Sequence, residues 1–495
     1  MGKSKVLIIG GTGYLGRRLV KASLAQGHET YILHRPETEI GVDIDKVEML
    51  ISFKMQGAHL VPGSFKDFNS LVDAAKLVDV VICAISGVHI RSHQILLQLK
   101  LVEAIKEAGN VKRFLPSEFG MDPGKLMDTA MDPGKVTLDE KMVVRKAVEE
   151  AGIPFTYVSA NCFAGYFLGG LCQFGKILPS RDVVIIHGDG NKKGYLGRRL
   201  VKASLAQGHE TYILHRPETE IGVDIDKVEM LISFKMQGAH LVPGSFKDFN
   251  SLVDAAKLVD VVICAISGVH IRSHQILLQL KLVEAIKEAG NVKRFLPSEF
   301  GMDPGKLMDT AMDPGKVTLD EKMVVRKAVE EAGIPFTYVS ANCFAGYFLG
   351  GLCQFGKILP SRDVVIIHGD GNKKAIYNNE DDIATYTIKT IDDPRTFNKT
   401  IYISPPKNIL SQIEVVQTWE KLIGKELQKI TLSKEDFLAS MKALDYAQQV
   451  GLSHYHDVCY EGCLTRFKIG DEEEASKLYP EVKCTTVEDY LKRYV

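Results

Sequence analysis

A chain of 495 residues, 45% hydrophobic and 25% charged, has room for about two to four ordinary domains and buries a large core without disulfide or metal staples. Its formal net charge of −1 excludes recruitment of nucleic acid or an anionic membrane by bulk charge. The opening MGKSKVLIIGG has too short an apolar run for a secretory signal, and no apolar run reaches ~18 residues, so no membrane span is expected and the predicted setting is cytoplasmic.

In chain order, short β-branched strands alternate with helical stretches. Val6–Ile9 reads as the first strand, and Tyr14–Gln26 has helical spacing with Leu15, Leu19, Val20 and Leu24 apolar. Strands are expected at Thr30–Leu33, Ala58–Val61, Val78–Ser86, Lys112–Leu115 and Phe155–Val158, and helices at Ile95–Ala108 and Asp139–Ala151. The strands are continuously apolar rather than alternating, which predicts a sheet buried on both faces. Alternation with helices makes it a Rossmann-type, doubly wound parallel α/β sheet with right-handed crossovers.

Residues Gly13–Lys193 then recur letter for letter as Gly194–Lys374, 181 positions later, while residues 1–12 and 375–495 occur once. Solenoid repeats are shorter, about 20–50 residues. This is a tandem duplication of most of one domain, and its perfection points to a recent DNA event or a faulty gene model. The expected organisation is a nucleotide-binding domain at 1–193, an identical copy at 194–374 without its first strand, and a smaller substrate-binding cap at 375–495. Where the second copy meets the tail, the strand before the Asp370-Gly371-Asn372 turn and the strand beginning Lys374-Ala375 read as a hairpin. In the tail, Glu414–Ile423 and Lys434–Leu444 read as amphipathic helices.

The first chemical signal is Gly10-Gly11-Thr12-Gly13-Tyr14-Leu15-Gly16, set between a strand and a helix. Gly10 permits a tight turn, Gly13 lets the backbone approach a pyrophosphate, and Gly16 lets helix and strand pack closely. The helix N-terminus offers its amides and dipole to the anion. The second strand ends at His34-Arg35-Pro36. An NAD site places an acid there; Arg35 suits the 2′-phosphate of NADPH, and Lys46 adds a second positive charge. The second copy keeps Gly194, Gly197, Arg216 and Lys227, but Asn191 replaces the first Gly on a lengthened loop. Its cofactor site is expected to be defective.

The second signal is Thr137-Leu138-Asp139-Glu140-Lys141, where short-chain dehydrogenases carry Tyr-x-x-x-Lys. The phenolic acid is absent and Lys141 remains, read as lying at a helix start where a lowered pKa fits it for acid–base work. Glu118 either positions a substrate hydroxyl or caps a loop. His454 and His456 either reach a phenol or lie on the surface. Cys459 and Cys463 lack zinc-finger spacing, and no metal is expected.

GGTGYLG, the HRPE run, DVVICAISG, KRFLPSEFGMDP, DEKMVVRKA, YVSANCFAGYF and the closing YPEVKCTTVEDYLKRYV resemble the plant isoflavone reductase-like family of NmrA-type atypical short-chain dehydrogenases. The resemblance covers the whole chain once one copy is removed. It implies NADPH-dependent reduction of small phenolic lignans, pinoresinol to lariciresinol to secoisolariciresinol, by a cytosolic homodimer. The family's catalytic lysine falls on Lys141 and again on Lys322. It takes the phenolic proton, the benzylic ether opens to a quinone methide, and hydride reduces that carbon. Cofactor contacts fall on Gly10–Gly16, Arg35 and Lys46, and a substrate contact on His454. Phenylcoumaran benzylic ether and isoflavone reductases share the lysine and the cofactor, differing near Gly87–His93 and in the tail. A non-catalytic NADP-sensing regulator is the alternative of another class, opposed by retention of Lys141 and the tail.

No contiguous stretch holds an intact subunit: the first copy has the first strand, the second has the tail. Crossing between equivalent loops always gives the same 314 residues (495 less 181), and loop closure is a weak penalty. One complete subunit, with Lys141 facing its cofactor site, plus a compromised lobe with exposed apolar surface, is therefore expected.

Overall fold

The computed structural model describes residues 2–35, 44–86, 94–126, 135–161, 195–216, 225–266, 275–307, 309–357 and 359–495. The expected substrate loop Gly87–His93, and Asn191 and Gly194 of the second copy, lie outside the described residues. The chain forms two compact units. One is built mainly from residues 2–35 and 45–161, the other from 195–216 and 227–495.

The first unit runs Lys5–Ile9 (β1), Gly16–Ala25 (α1), Glu29–His34 (β2), Ile44–Met55 (α2), His59–Pro62 (β3), Phe68–Lys76 (α3), Val80–Cys83 (β4), Gln98–Ala108 (α4), Arg113–Leu115 (β5) and Lys135–Glu150 (α5). Its five strands form one parallel sheet in the order β3-β2-β1-β4-β5. β1 is central, and alternate residues feed opposite cores. Val6 and Ile8 pack with Val20, Leu50 and Phe53, while Leu7 and Ile9 pack with Leu101, Ile105 and Val144. That two-sided burial is why the strand reads as unbroken apolar sequence, and the doubly wound sheet expected from the sequence is the one found.

The second copy repeats these elements as Gly197–Ala206 (α6), Tyr212–His215 (β6), Ile225–Met236 (α7), His240–Pro243 (β7), Phe249–Ala256 (α8), Val261–Ile263 (β8), Gln279–Ala289 (α9), Arg294–Leu296 (β9) and Lys316–Glu331 (α10). The unit continues with Thr337–Ser340 (β10), Cys343–Phe344 (β11), Val364–His368 (β12), Lys374–Asn378 (β13), Glu380–Thr390 (α11), Lys399–Tyr402 (β14), Ile409–Ser411 (β15), Gln412–Ile423 (α12), Gln428–Leu432 (β16), Lys434–Met441 (α13) and Tyr446–Cys459 (α14). Among the described residues the copied sheet is two separate parallel pairs, β6–β7 and β8–β9. The counterpart of β1, which would join β6 to β8, is the strand left behind by the cut.

Three expectations are corrected here. The whole tail belongs to the unit of the copy it follows in sequence, rather than completing the first. Ile383, Ala384 and Ile388 of α11 share a core with Leu196 and Leu200, and Arg199 pairs with Asp381 at 3.0 Å. Contiguous docking closes the shorter loops and wins. Secondly, Phe155–Val158 is no strand: one bridge joins Phe155 to Phe114, whereas the identical residues of β10 pair in parallel with β14. An edge segment needs a partner for its N–H and C=O groups, and the tail supplies it only to the second copy. Thirdly, β12 and β13 form no hairpin. β12 pairs with β16, and β13 with β11 and β15. Gly369 and Gly371, both at positive φ (59° and 67°), turn the chain into another sheet.

Candidate active site

β1 runs directly into the glycine loop. Gly10 has φ 79°, and a Cβ there would lie 2.8 Å from the Ala84 carbonyl oxygen. A Cβ at Gly11 would meet Ile32 Cγ2 at 2.8 Å, and one at Gly16 would sit 1.9 Å from the Gly10 oxygen. The loop closes on itself through the Gly13 N–H, which donates to the Gly10 carbonyl at 2.9 Å. Thr12 and Gly13 form its crest. Leu15 precedes α1 without a side-chain cap, and the Arg17 and Arg18 amides at the helix start donate to the Gly13 and Leu15 carbonyls at 3.0 and 2.9 Å. Tyr14 stacks under Arg18, whose guanidinium carbon is 4.1 Å from the ring centroid. Arg35, just beyond β2, and Lys46, on α2, are exposed. A folded phosphate cradle with exposed cations after the second strand fits a phosphorylated dinucleotide. In the second copy, among the described residues, a Cβ at Gly197 would meet only Ala265 Cβ at 3.7 Å, an ordinary contact. Arg216 is half-buried there and Lys227 buried.

The lysine of each copy lies on the long helix α5 or α10. Since α5 begins at Lys135, Lys141 lies about two turns inside rather than at its start, which corrects the sequence reading. Burial, not the helix end, pushes its pKa down; the Glu118 and Asp122 carboxylates oppose the shift and Arg145 adds to it. Lys141 Nζ donates to the Glu118 carbonyl at 3.1 Å. The buried Glu118 carboxylate is itself gripped by Arg145 at 3.2 and 2.8 Å, so it neither faces a substrate nor caps a loop.

In the second unit the same cluster is more deeply enclosed. Lys322 Nζ donates to the carbonyls of Glu299 (3.2 Å) and Met302 (3.4 Å), and its pKa is lowered chiefly by burial. Arg326 bridges Glu299 (2.7 Å) and Asp303 (2.8 Å), and Tyr402 from the tail donates to Asp303. Helix α14 delivers His454, whose Nε2 lies 3.1 Å from Thr318 Oγ1. Thr318 Oγ1 also donates to the Gly315 carbonyl at 3.1 Å, so it accepts from Nε2–H and leaves Nδ1 as a bare acceptor. That Nδ1 is buried with no hydrogen-bond partner among the described residues. Burial drives the imidazole pKa down to about 4, and Lys322 reinforces the shift. His456 is buried too, with Nδ1 3.2 Å from Asp457 Oδ1. The surface alternative for the two histidines is therefore set aside. Burial also holds Cys459 and Cys463 as thiols, the latter at about 12, which disfavours the thiolate a metal needs.

The structure thus brings Lys322 and His454 together in one unit and folds Gly10–Gly16, Arg35, Lys46 and Lys141 in the other. Sequence reasoning missed Thr318 and Arg326. Both were signalled: they stand four residues before and after Lys322, on one helical face. Thr318, like Thr137, occupies the place of the absent tyrosine, and it holds the tail's histidine.

The sequence matches the NmrA-like family twice, over residues 2–183 and 179–491. It is 90% identical over 313 residues to a bifunctional pinoresinol-lariciresinol reductase of Forsythia intermedia, covering 63% of this chain and 98% of that protein. A protein of the same description from Linum album is 69% identical over 333 residues, 66% of this chain and all of that one. The solved structure of AtPrR2 with NADP+ and (+)pinoresinol superposes with a TM-score of 0.60 at 56% identity, over 64% of this chain and 100% of that one. About two-thirds of this chain accounts for the full length of each; the remainder is the extra copy.

Proposed function

The chain belongs to the NmrA-like family, and from that premise we propose that it is an NADPH-dependent reductase opening the benzylic ether rings of furofuran and furan lignans, pinoresinol to lariciresinol to secoisolariciresinol. The observation that carries the reading is the desolvated lysine beside a histidine with a bare acceptor. A neutral amine has two N–H bonds and one lone pair. Lys322 donates to the carbonyls of Glu299 and Met302, and burial favours the uncharged amine, whose lone pair can take a proton. At Lys141, the same residue of the first copy, a phenol para to the ether loses its proton to the amine, the phenolate electrons expel the ether oxygen, and a quinone methide results. No tyrosine is needed, because ring opening is driven from the phenol. His454 Nδ1 accepts a substrate hydroxyl and so orients the ring. NADPH, when bound, supplies the hydride that the benzylic carbon takes up. The ammonium gives its proton to the expelled ether oxygen, which becomes the alcohol, and the phenolate formed by hydride uptake takes a proton from solvent.

The folded glycine loop shares its unit with Lys141, so we assign turnover to Lys141; Lys322 displays the arrangement the tail gives that side chain. The seven free cysteines among the described residues support a reducing, cytosolic setting. The homodimer stays part of the proposal, its check the solution mass. The decisive experiment is pinoresinol-dependent NADPH oxidation by the full chain. Lys141→Ala is expected to lose at least about a hundredfold in kcat and Lys322→Ala little. Absence of pinoresinol-dependent oxidation by the parent chain sinks the reading.

A further inference from the structure

Because the two copies share one sequence, any difference between them reports what the tail covers. In the second unit Arg294 is buried, its guanidinium carbon 3.8 Å from the Phe397 ring centroid. It donates to the Thr390 carbonyl, to Thr396 Oγ1 (2.8 Å) and to the Asp393 carbonyl (3.1 Å). The Phe336 N–H donates to Asn398 Oδ1 at 3.0 Å, and the Phe336 carbonyl accepts from the Asn398 N–H at 2.8 Å. β10 beside it is paired along its length with β14. In the first unit Arg113 is exposed and its side chain makes no hydrogen bond among the described residues, Phe155 is 41% exposed, and, apart from the Thr156 N–H donating to the Phe114 carbonyl at 3.0 Å, the segment 156–159 has no strand partner among the described residues.

We propose that this face of the first unit, Arg113, Phe155 and the unpaired edge at 156–159, is a docking surface for residues 375–495 of a second copy of this chain. The surface is letter for letter the one that already holds the tail, so its complementarity to that segment is built in. Each chain has two such surfaces and a single tail, so no chain covers both with its own. The first unit offers the better seat: its sheet is continuous through β1, whereas among the described residues the copied sheet is two separate pairs, and a preorganised partner costs less to bind. An unpaired edge is a template for strand addition, and exchange of an identical element is a low-cost route to assembly. A docked tail brings His454 to Lys141 as it does to Lys322, so assembly completes a site on the folded glycine loop.

The docking is independent of the reductase reading and is tested without substrate, by the light-scattering mass of the full chain from low to high micromolar concentration. The expected mass exceeds the 54.8 kDa of one chain. Arg113→Glu, which sets a carboxylate against three oxygen acceptors, and Phe155→Ser are each expected to weaken the assembly at least about tenfold. Both side chains are exposed, so the first unit keeps its fold, which an unchanged NADPH affinity reports. A one-chain mass at every concentration, or an assembly that both variants leave intact, overturns the proposal.

Discussion

The lysine and the histidine owe their reactivity to the same cause. Each is basic, each is buried, and burial disfavours the charged form of both. His454 carries a measurable signature. Its folded pKa of about 4 lies below the ordinary 6.5, so between those values the unfolded chain binds a proton that the folded chain does not. Stability is therefore complete above about 6.5 and falls as pH drops toward 4, by up to about 3 kcal/mol from this group. Trp419 is the sole tryptophan and lies buried in the tail. Its fluorescence through urea unfolding at pH 7 and pH 5 isolates the second unit, and His454→Gln should shrink the difference between them. An unchanged difference would place the acid sensitivity elsewhere. At this scale the identity of Lys141 was legible in DEKMVVRKA, but the start of α5 at Lys135 was not, since the helical reading began at Asp139. The enclosure of His454 was not, because it depends on α14 meeting α10, a contact that no local pattern encodes.

At the scale of elements, identical sequence in two settings separates what is local from what is borrowed. The glycine loop and α1 follow from β1, twelve unique residues and a turn, and were readable as such. The strand at β10 is borrowed: its residues are irregular in the first copy and paired in the second. The hairpin failed as a reading because the two positive-φ glycines leave the chain's direction to whichever sheets offer an edge. The two helix starts give a paired test. Gly16→Ala forces a Cβ to 1.9 Å from the Gly10 oxygen, while Gly197→Ala meets no described atom closer than 3.7 Å. Calorimetry of the parent chain is expected to show one NADPH site, which Gly16→Ala should abolish and Gly197→Ala should leave unchanged in affinity and stoichiometry. Two equivalent sites in the parent chain would contradict this.

For the molecule as a whole, the duplication separates halves that a single copy would hold together. Deleting residues 13–193 joins β1 to the copy that carries the tail and restores the 314-residue subunit (495 less 181). That shorter chain should oxidise NADPH faster per chain with pinoresinol and melt higher, since the central strand regains both neighbours and the lysine, histidine and glycine loop share one unit. Equal activity and equal melting would mean that the extra copy costs nothing. The tandem repeat itself was plain from the letters; which copy the tail would choose was not, since both present the same surface.

The split between β6 and β8 makes the protein its own control. Tyr212–His215 and Val261–Ile263 are letter-identical to Tyr31–His34 and Val80–Ile82, yet among the described residues only the latter flank a common strand. Intrinsic exchange chemistry is the same for each pair of peptides, so the faster deuterium uptake expected in the copied segments would report the lost pairing with a central strand.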